Sequence, residues 1–286
     1  MADNNDCNSI VPFTYIWAIE NCPVLLSPFP ILSPLFIIDN YRNSHWRLGI
    51  VESSNYIQCF FQRQEDNGPE TVHLSSEISL LDTEGCPLIT KTCECTFQKG
   101  GVYEYLTFAL LKDVFVLRRN EFLSNETLTF RFRSFSVHGE IIRINMCCAR
   151  TRLKIHRMSF LWTIRDFTSL RVGESVSRSL VITQNKCLFL TLQLTEEGTI
   201  KIRIASNGAV RFNLRISVLD ITGKAHNAIL CKIQMHDPIQ FNLMAKAYLD
   251  ANRESFLPVG ILTLRCEFIL GTGIAHQEIE SYRFTP

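Results

Sequence analysis

Apolar and polar residues alternate along most of the chain with the period of two that sends successive side chains to opposite faces of a β-strand. Phe13, Tyr15, Trp17 and Ile19 alternate with Thr14, Ile16 and Ala18, and Ile200, Ile202 and Ile204 with Thr199, Lys201 and Arg203. Leu262, Leu264, Cys266 and Phe268 do the same against Thr263, Arg265 and Glu267. Turn-forming residues punctuate these runs at Asp66-Asn-Gly-Pro69, Glu84-Gly85, Lys99-Gly-Gly101, Glu196-Glu-Gly198, Asn207-Gly208 and Thr222-Gly223. Short strands at this spacing, without interleaved amphipathic helices, predict an all-β chain of antiparallel sandwiches. Short helical turns are expected from Phe108 to Asp113 and from Phe241 to Leu249.

The pattern occurs twice. Phe13-Thr-Tyr-Ile-Trp17-Ala-Ile-Glu-Asn returns as Ser159-Phe-Leu-Trp162-Thr-Ile-Arg-Asp, and Ile78-Ser-Leu-Leu-Asp82-Thr-Glu-Gly85 as Ile216-Ser-Val-Leu-Asp220-Ile-Thr-Gly223. Leu128-Thr-Phe-Arg-Phe returns as Leu262-Thr-Leu-Arg-Cys, and the offset shrinks from 145 to 138 to 134 residues. Such self-similarity is the mark of a repeated unit, here with shorter loops in its second copy. Two tandem domains are expected at residues 10–150 and 151–272, followed by a tail at 273–286.

Length and composition fit that division. With 286 residues, 46% hydrophobic and 20% charged, the chain can bury two cores. A formal net charge of +1 gives no general attraction for nucleic acid or an anionic membrane. The apolar stretch Cys22–Ile38 covers only 17 residues and carries Pro23, Pro28, Pro30 and Pro34. Each proline removes a backbone donor that a spanning helix needs, so the stretch predicts a proline-broken strand edge or a loop packed against the first sandwich instead.

Eleven cysteines raise the question of disulfides or zinc. Cys93 and Cys95 form C-x-C and Cys147 and Cys148 are adjacent, but paired C-x2-C units with histidine partners are missing, so no structural metal is expected. The odd count and the polar opening Met1-Ala-Asp-Asn-Asn-Asp favour free thiols in a reducing cytoplasm or nucleus, where the sequon at Asn125 stays an unmodified turn. Neither a nucleophile elbow, a zinc-protease helix motif, a phosphate-binding loop nor a dinucleotide fingerprint occurs, and the seven histidines are scattered. No enzymatic activity and no cofactor are expected.

The repeated blocks carry a resemblance. Tyr15-Ile-Trp17-Ala-Ile and Phe160-Leu-Trp162-Thr-Ile resemble the opening strand of the MATH, or TRAF-like, domain. Trp46-Arg-Leu-Gly-Ile50 is similar to its second strand, Leu80-Leu-Asp82-Thr-Glu-Gly and Val218-Leu-Asp220-Ile-Thr-Gly to its hairpin, and Leu262-Thr-Leu-Arg-Cys-Glu-Phe268 to its last strand. Asn252-Arg-Glu-Ser-Phe-Leu-Pro258 resembles the speckle-type POZ and TD-and-POZ proteins in particular. The resemblance spans about nine tenths of the chain and implies two eight-stranded sandwiches that bind extended peptides along one sheet.

Such binding needs exposed aromatics to cover apolar side chains and strand edges to take main-chain hydrogen bonds. Carried over by position, the implied groove residues of the first copy are Phe60, Ser76, Cys95, Tyr103 and Tyr105, with Ser76 and Cys95 standing where the family has aromatics. The second copy offers Ile204, Leu214, Pro238 and Gln240, and Phe241 if the register slips by one, a degraded groove. Trp17, Trp162, Phe13 and Phe160 are assigned to the core, where alternating strand aromatics usually lie, and Tyr56 is expected to pack.

In the speckle-type proteins a BTB/POZ domain follows and engages a cullin scaffold. Nothing similar follows Phe268, and Gly271–Pro286 resembles the connection that leads into it. The resemblance therefore implies a substrate-recognition adaptor, or a decoy lacking BTB, with ubiquitin-ligase components as partners only where a BTB domain follows. Two alternatives remain open: an oligomeric scaffold of the TRAF type, although no heptad run precedes Phe13, and a remnant of a MATH-containing ubiquitin protease.

Overall fold

The computed structural model describes residues 12–24, 30–38, 44–135, 144–183, 186–207, 210–235 and 238–284. The chain divides into two compact units, Met1–Lys154 with Thr272–Pro286, and Ile155–Gly271. Both are all-β sandwiches.

In the first unit the strands are β1 (Phe13–Glu20), β2 (Ile31–Leu32), β3 (Phe36–Ile38), β4 (Ser44–Ser53), β5 (Tyr56–Arg63), β6 (Thr71–Leu81), β7 (Pro87–Gln98) and β8 (Val102–Leu110). A helical turn at Asp113–Leu117 and α1 (Arg119–Phe122) precede β9 (Leu123–Ser124), β10 (Thr127–Phe135) and β11 (Ile144–Ile164). One sheet runs β7-β6-β10-β1-β11, with β9 on β10, and the other β2-β4-β5-β8, with β3 also on β4. Alternation fixes which face is buried: Phe13, Tyr15, Trp17 and Ile19 are sealed, while the residues between them are half-exposed. Trp17 Nε1 donates to Thr151 Oγ1 on β11 at 2.9 Å, which satisfies the polar end of a buried indole. The described part of the proline-rich stretch forms β2 and β3, the edge strands expected of it.

The core between these sheets is aromatic. Phe36 stacks on Tyr15 at 3.8 Å, Trp46 on Phe61 at 4.6 Å and Phe61 on Phe132 at 4.4 Å, while Phe97 meets Trp46 and Phe61 edge-on. A charge closes one end of it. The side chains of Arg63 and Asp66 are wholly inaccessible and paired at 2.9 Å. Arg63 also donates to the carbonyls of Glu70 and Phe97, and to that of Pro69, while Asp66 accepts from the backbone amides of His45 and Gly68. The Arg63 guanidinium holds the Asp66 carboxyl down at about 2 against the cost of burial.

The second unit contains β12 (Ser175–Thr183), β13 (Lys186–Leu194), β14 (Thr199–Ser206), β15 (Val210–Leu219), β16 (Ala225–Met235), β17 (Ile239–Ala245), α2 (Lys246–Ala251), α3 (Arg253–Phe256) and β18 (Leu262–Phe284). Its strands pair in the orders β16-β15-β18-β11 and β12-β13-β14-β17. Leu188, Leu190, Leu192, Ile200, Ile202 and Ile204 of β13 and β14 line this core, which also holds Trp162, Phe167, Phe212, Phe256 and Phe268. Trp162 is buried; Phe160 is half-buried, stacked on Phe268 and covered by Arg178.

The two Asp-x-x-Gly hairpins are built alike. Asp82 Oδ1 accepts from the amides of Glu84 and Cys86, and Asp220 Oδ1 from those of Thr222 and Lys224. Gly85 and Gly223 take φ of 87° and 80°, a left-handed conformation that suits glycine. Thr83 N–H then donates to Glu121 and Ile221 N–H to Ser255, anchoring each tip to a short helix.

The expected helical turns fall a few residues later than the sequence placed them. β8 holds Phe108 and Ala109 buried as strand residues, so the first helical residues begin at Leu111; β17 likewise delays the second helix to Lys246. Beyond Thr272, β18 continues as strand within the first unit: Gln277 donates to Leu32 O and Thr151 Oγ1, and Arg150 pairs with both Glu280 and Glu20. No helix among the described residues is long and apolar enough to cross a membrane.

Candidate functional site

β7 and β8 are the edge strands of opposite sheets in the first unit, joined by the turn Lys99-Gly100-Gly101. The side of the sandwich between them forms a mouth. β7 sends Cys93, Cys95 and Phe97 inward, opposite Ser76, Leu74 and Val72 of β6. β8 sends Tyr103 and Tyr105 to the same interior, because they pair with the inward residues Phe61 and Cys59 of β5.

Four of the five expected groove residues thus meet. Ser76 is buried at the back, Cys95 and Tyr105 are half-buried, and Tyr103 is 36% exposed at the rim. The tyrosine rings are 5.1 Å apart in a T, and Tyr105 continues through Phe108 to Phe130 in the core. Cys93 Sγ lies 2.8 Å from Cys95 Sγ, and the Tyr103 hydroxyl lies close to Cys93. Burial, followed by its neighbour Cys93, pushes the Cys95 thiol up to about 12. The nearby Cys93, then burial, raises the Tyr103 hydroxyl, and burial raises that of Tyr105 further. Tyr105 Oη is sealed from solvent with no hydrogen-bond partner among the described residues, which costs about 1–3 kcal/mol for a buried hydroxyl.

Phe60 stands apart from these four. It pairs with Gly49 and Glu104 and points to the outer face of the sheet. Its ring occupies the place of the missing Gly49 side chain: a Cβ there would meet Phe60 Cζ at 2.0 Å. Phe60 is therefore half-buried for a structural reason, capping a glycine across the strand pair. Tyr56 shares that outer face, half-buried as expected.

Sequence reasoning missed the outer face of β8. Val102 and Leu110 are exposed there and Leu106 is 57% exposed, a run of aliphatic side chains on a strand with one unpaired edge. The signal was present as apolar residues flanking Glu104 at alternate positions, but only the pairing shows that the strand has no further neighbour among the described residues.

At the corresponding strand of the second unit, β17 pairs Ile204 with Ile239, Arg203 with Gln240 and Ile202 with Phe241. Both edge ladders carry one bulge, after Ile57 and after Ile200, and matching the bulges sets Phe241 at Tyr105, Ile239 at Tyr103 and Arg203 at Phe60. The slipped register is the one the fold adopts. Ile204 and Leu214 are sealed in the core, Pro238 and Gln240 are exposed, and the outer face holds Lys201, Arg203, Gln240 and Asn242.

Open clefts also lie elsewhere among the described residues. One of about 570 Å³ is bordered by Glu20, Asn125, Arg150 and Arg152, whose charges already pair with one another. Another, about 650 Å³, runs along Asp250–Ser255 beside Val259. No group of three metal-ligating side chains forms among the described residues.

No family model matches the chain, and neither does any curated protein. Among solved structures, the chain is similar to a TRAF5 from Notothenia coriiceps at 12% identity and a TM-score of 0.36, over 45% of this chain and 76% of that one. It is matched more weakly by the infectious bursal disease virus Gx strain, at 8% identity and a TM-score of 0.15 over 88% of this chain and 67% of that one. An allantoicase is matched at 10% identity and a TM-score of 0.13, over 82% and 81%. These superpositions are too loose to carry an argument, so the description of the molecule rests on its own strand pairing.

Proposed function

We propose that this chain is a non-catalytic protein-interaction module of two tandem MATH-type sandwiches, the first of which takes up extended segments of partner proteins along β8. The observation that carries this reading is β8 itself, an edge strand among the described residues with one backbone row unpaired by them, exposed aliphatics on its outer face and two tyrosines on its inner face. An added strand turns alternate side chains to opposite faces, so one peptide reaches Val102, Leu106 and the Phe60 face with one set and Tyr103 and Tyr105 with the other. The buried Tyr105 hydroxyl is a polar group held ready in that mouth. In cellular terms the module acts in the cytoplasm or nucleus as a substrate-recognition adaptor of a cullin-type ubiquitin ligase, or as a decoy competing for its substrates where no BTB domain accompanies it. No cofactor, nucleic acid or membrane is required.

The test is a titration of Ser/Thr-rich peptides, monitored by fluorescence anisotropy. Changing Phe60, Tyr103 and Tyr105 together to Ala should weaken binding at least about tenfold, a loss of roughly 1.4 kcal/mol. Unchanged affinity rejects the assignment. Tyr105→Phe separates stability from binding: it should stabilise the fold by about 1 kcal/mol by removing an orphan hydroxyl, and weaken any peptide that bonds to it.

A further inference from the structure

We infer that Cys93 and Cys95 are a redox modification site, a dithiol that closes to an intrastrand disulfide on exchange with a small disulfide such as glutathione disulfide. The two thiols sit on one face of β7, two residues apart, with sulfurs 2.8 Å from each other. Optimally placed non-bonded carbons lie about 3.5–4.0 Å apart, and a disulfide bond is about 2.05 Å long. The pair is closer than ordinary packing requires. Two strand rises separate the Cα atoms by about 6.6 Å, inside the upper end of the roughly 4.4–6.8 Å range that a disulfide spans.

Among the described residues β7 pairs only with β6, so its other edge can pucker as the two residues draw together. The remaining described thiols lack this arrangement. Cys147 and Cys148 are successive strand residues and point to opposite faces, and Cys22, Cys59 and Cys266 are buried.

Access and positioning divide the work. Cys95 is the half-exposed thiol and meets the small disulfide, whereas Cys93 is buried behind it. The Cys95 thiolate attacks one glutathione sulfur, the glutathione S–S bond breaks, and one glutathione thiolate leaves to take up a proton. The Cys93 thiolate, next to the Tyr103 hydroxyl and the Cys95 sulfur, then attacks the Cys95 sulfur of the mixed disulfide. The Cys93–Cys95 bond forms and the second glutathione departs. Two protein thiols lose two electrons and two protons, and one glutathione disulfide becomes two glutathiones. Because the Cys95 proton is tightly held, the first exchange is slow at neutral pH.

The experiment equilibrates the folded chain with a series of glutathione to glutathione-disulfide ratios near pH 8.5, the ordinary thiol range. It is then quenched in acid, alkylated with N-ethylmaleimide and digested with trypsin. Cleavage after Lys91 and Lys99 isolates the peptide 92–99, which holds these two cysteines and no other. It should become lighter by two hydrogens and carry no maleimide, with an equilibrium constant for closure at least about tenfold above that of the chain unfolded in guanidinium. In Cys93→Ser, Cys95 should instead retain one glutathione. Two maleimides on the native peptide, a glutathione adduct that never closes in the unsubstituted chain, or equal closure in the unfolded chain would each overturn the inference. So would a Cys93→Ser chain that takes up no glutathione. If that variant does not fold, the native-against-unfolded comparison decides alone.

Discussion

The two units use the same strand order and fill it with different chemistry. Where β4 and β5 of the first unit place Trp46 and Phe61, β13 and β14 of the second place Leu188 and Ile204. Phe132 on β10 has Cys266 as its counterpart on β18. The end of β5 carries the sealed Arg63, and the end of β14 carries Ser206. The first core thus sets rings against rings from both sheets, whereas the second sets the aliphatic faces of β13 and β14 against Trp162, Phe212 and Phe268. Ring-on-ring packing gains area and geometry but demands that each ring find its neighbour, and aliphatic contacts ask mainly for volume and pattern. The edges differ in the same direction. Phe60, Val102, Leu106 and Tyr103 line the first, and Lys201, Arg203, Gln240 and Asn242 border the second. A shared frame therefore does not imply a shared surface.

The sharpest way to break the comparison is at the buried charge. Arg63→Met strands Asp66 in a closed site and should cost the first unit about 3–5 kcal/mol. Urea unfolding followed by Trp17 and Trp46 fluorescence should shift while the Trp162 transition stays, and a common shift would show that the two units do not unfold independently. Acid tests the same pair without mutation. The Asp66 carboxyl titrates at about 2 when folded and at its ordinary 3.8 when unfolded. Its contribution is thus complete above pH 4 and lost as pH falls through 2, about 2 kcal/mol in all. Denaturation at stepped pH should show this loss, and Asp66→Asn should abolish that component.

Exchanging core chemistry is the next step down. Phe61→Leu removes a ring that contacts Trp46, Phe97 and Phe132, and Ile204→Phe adds one at a fully buried aliphatic position. Each should destabilise its own unit by about 1–2 kcal/mol; a neutral Ile204→Phe would mean that the second core is loose enough to accept either filling. The smallest effect concerns Val259, a β-branched residue at φ 48° that is 94% exposed. Val259→Asn relieves a left-handed strain and should stabilise by about 0.5–1 kcal/mol, visible as a rise of a few degrees in the melting of the second unit only.

Much of the fold was legible because alternation and turn chemistry are local. The period of Phe13–Ile19 gave β1 with its inward set, and the turns at Glu84-Gly85 and Thr222-Gly223 formed two hairpins that Asp82 and Asp220 close with side-chain hydrogen bonds. The candidate site was legible only in part. Tyr103, Tyr105, Cys95 and Ser76 do converge, yet Phe60 turns to the other face, because one residue of parity decides the side of a sheet. Phe241 was found only by allowing the register to slip, since a bulge inserts a residue that no periodicity announces.

By itself, then, the sequence determined the strands, their buried faces, the turns and the doubling of the pattern, all of which depend on neighbours within a few positions. Only the tertiary structure decided which strands end as edges, which thiols and rings share the mouth between β7 and β8, and that residues 272–284 belong to the first unit. Those facts come from pairings between residues tens to hundreds of positions apart. They are selected by the closure of whole sheets, and no local preference encodes them.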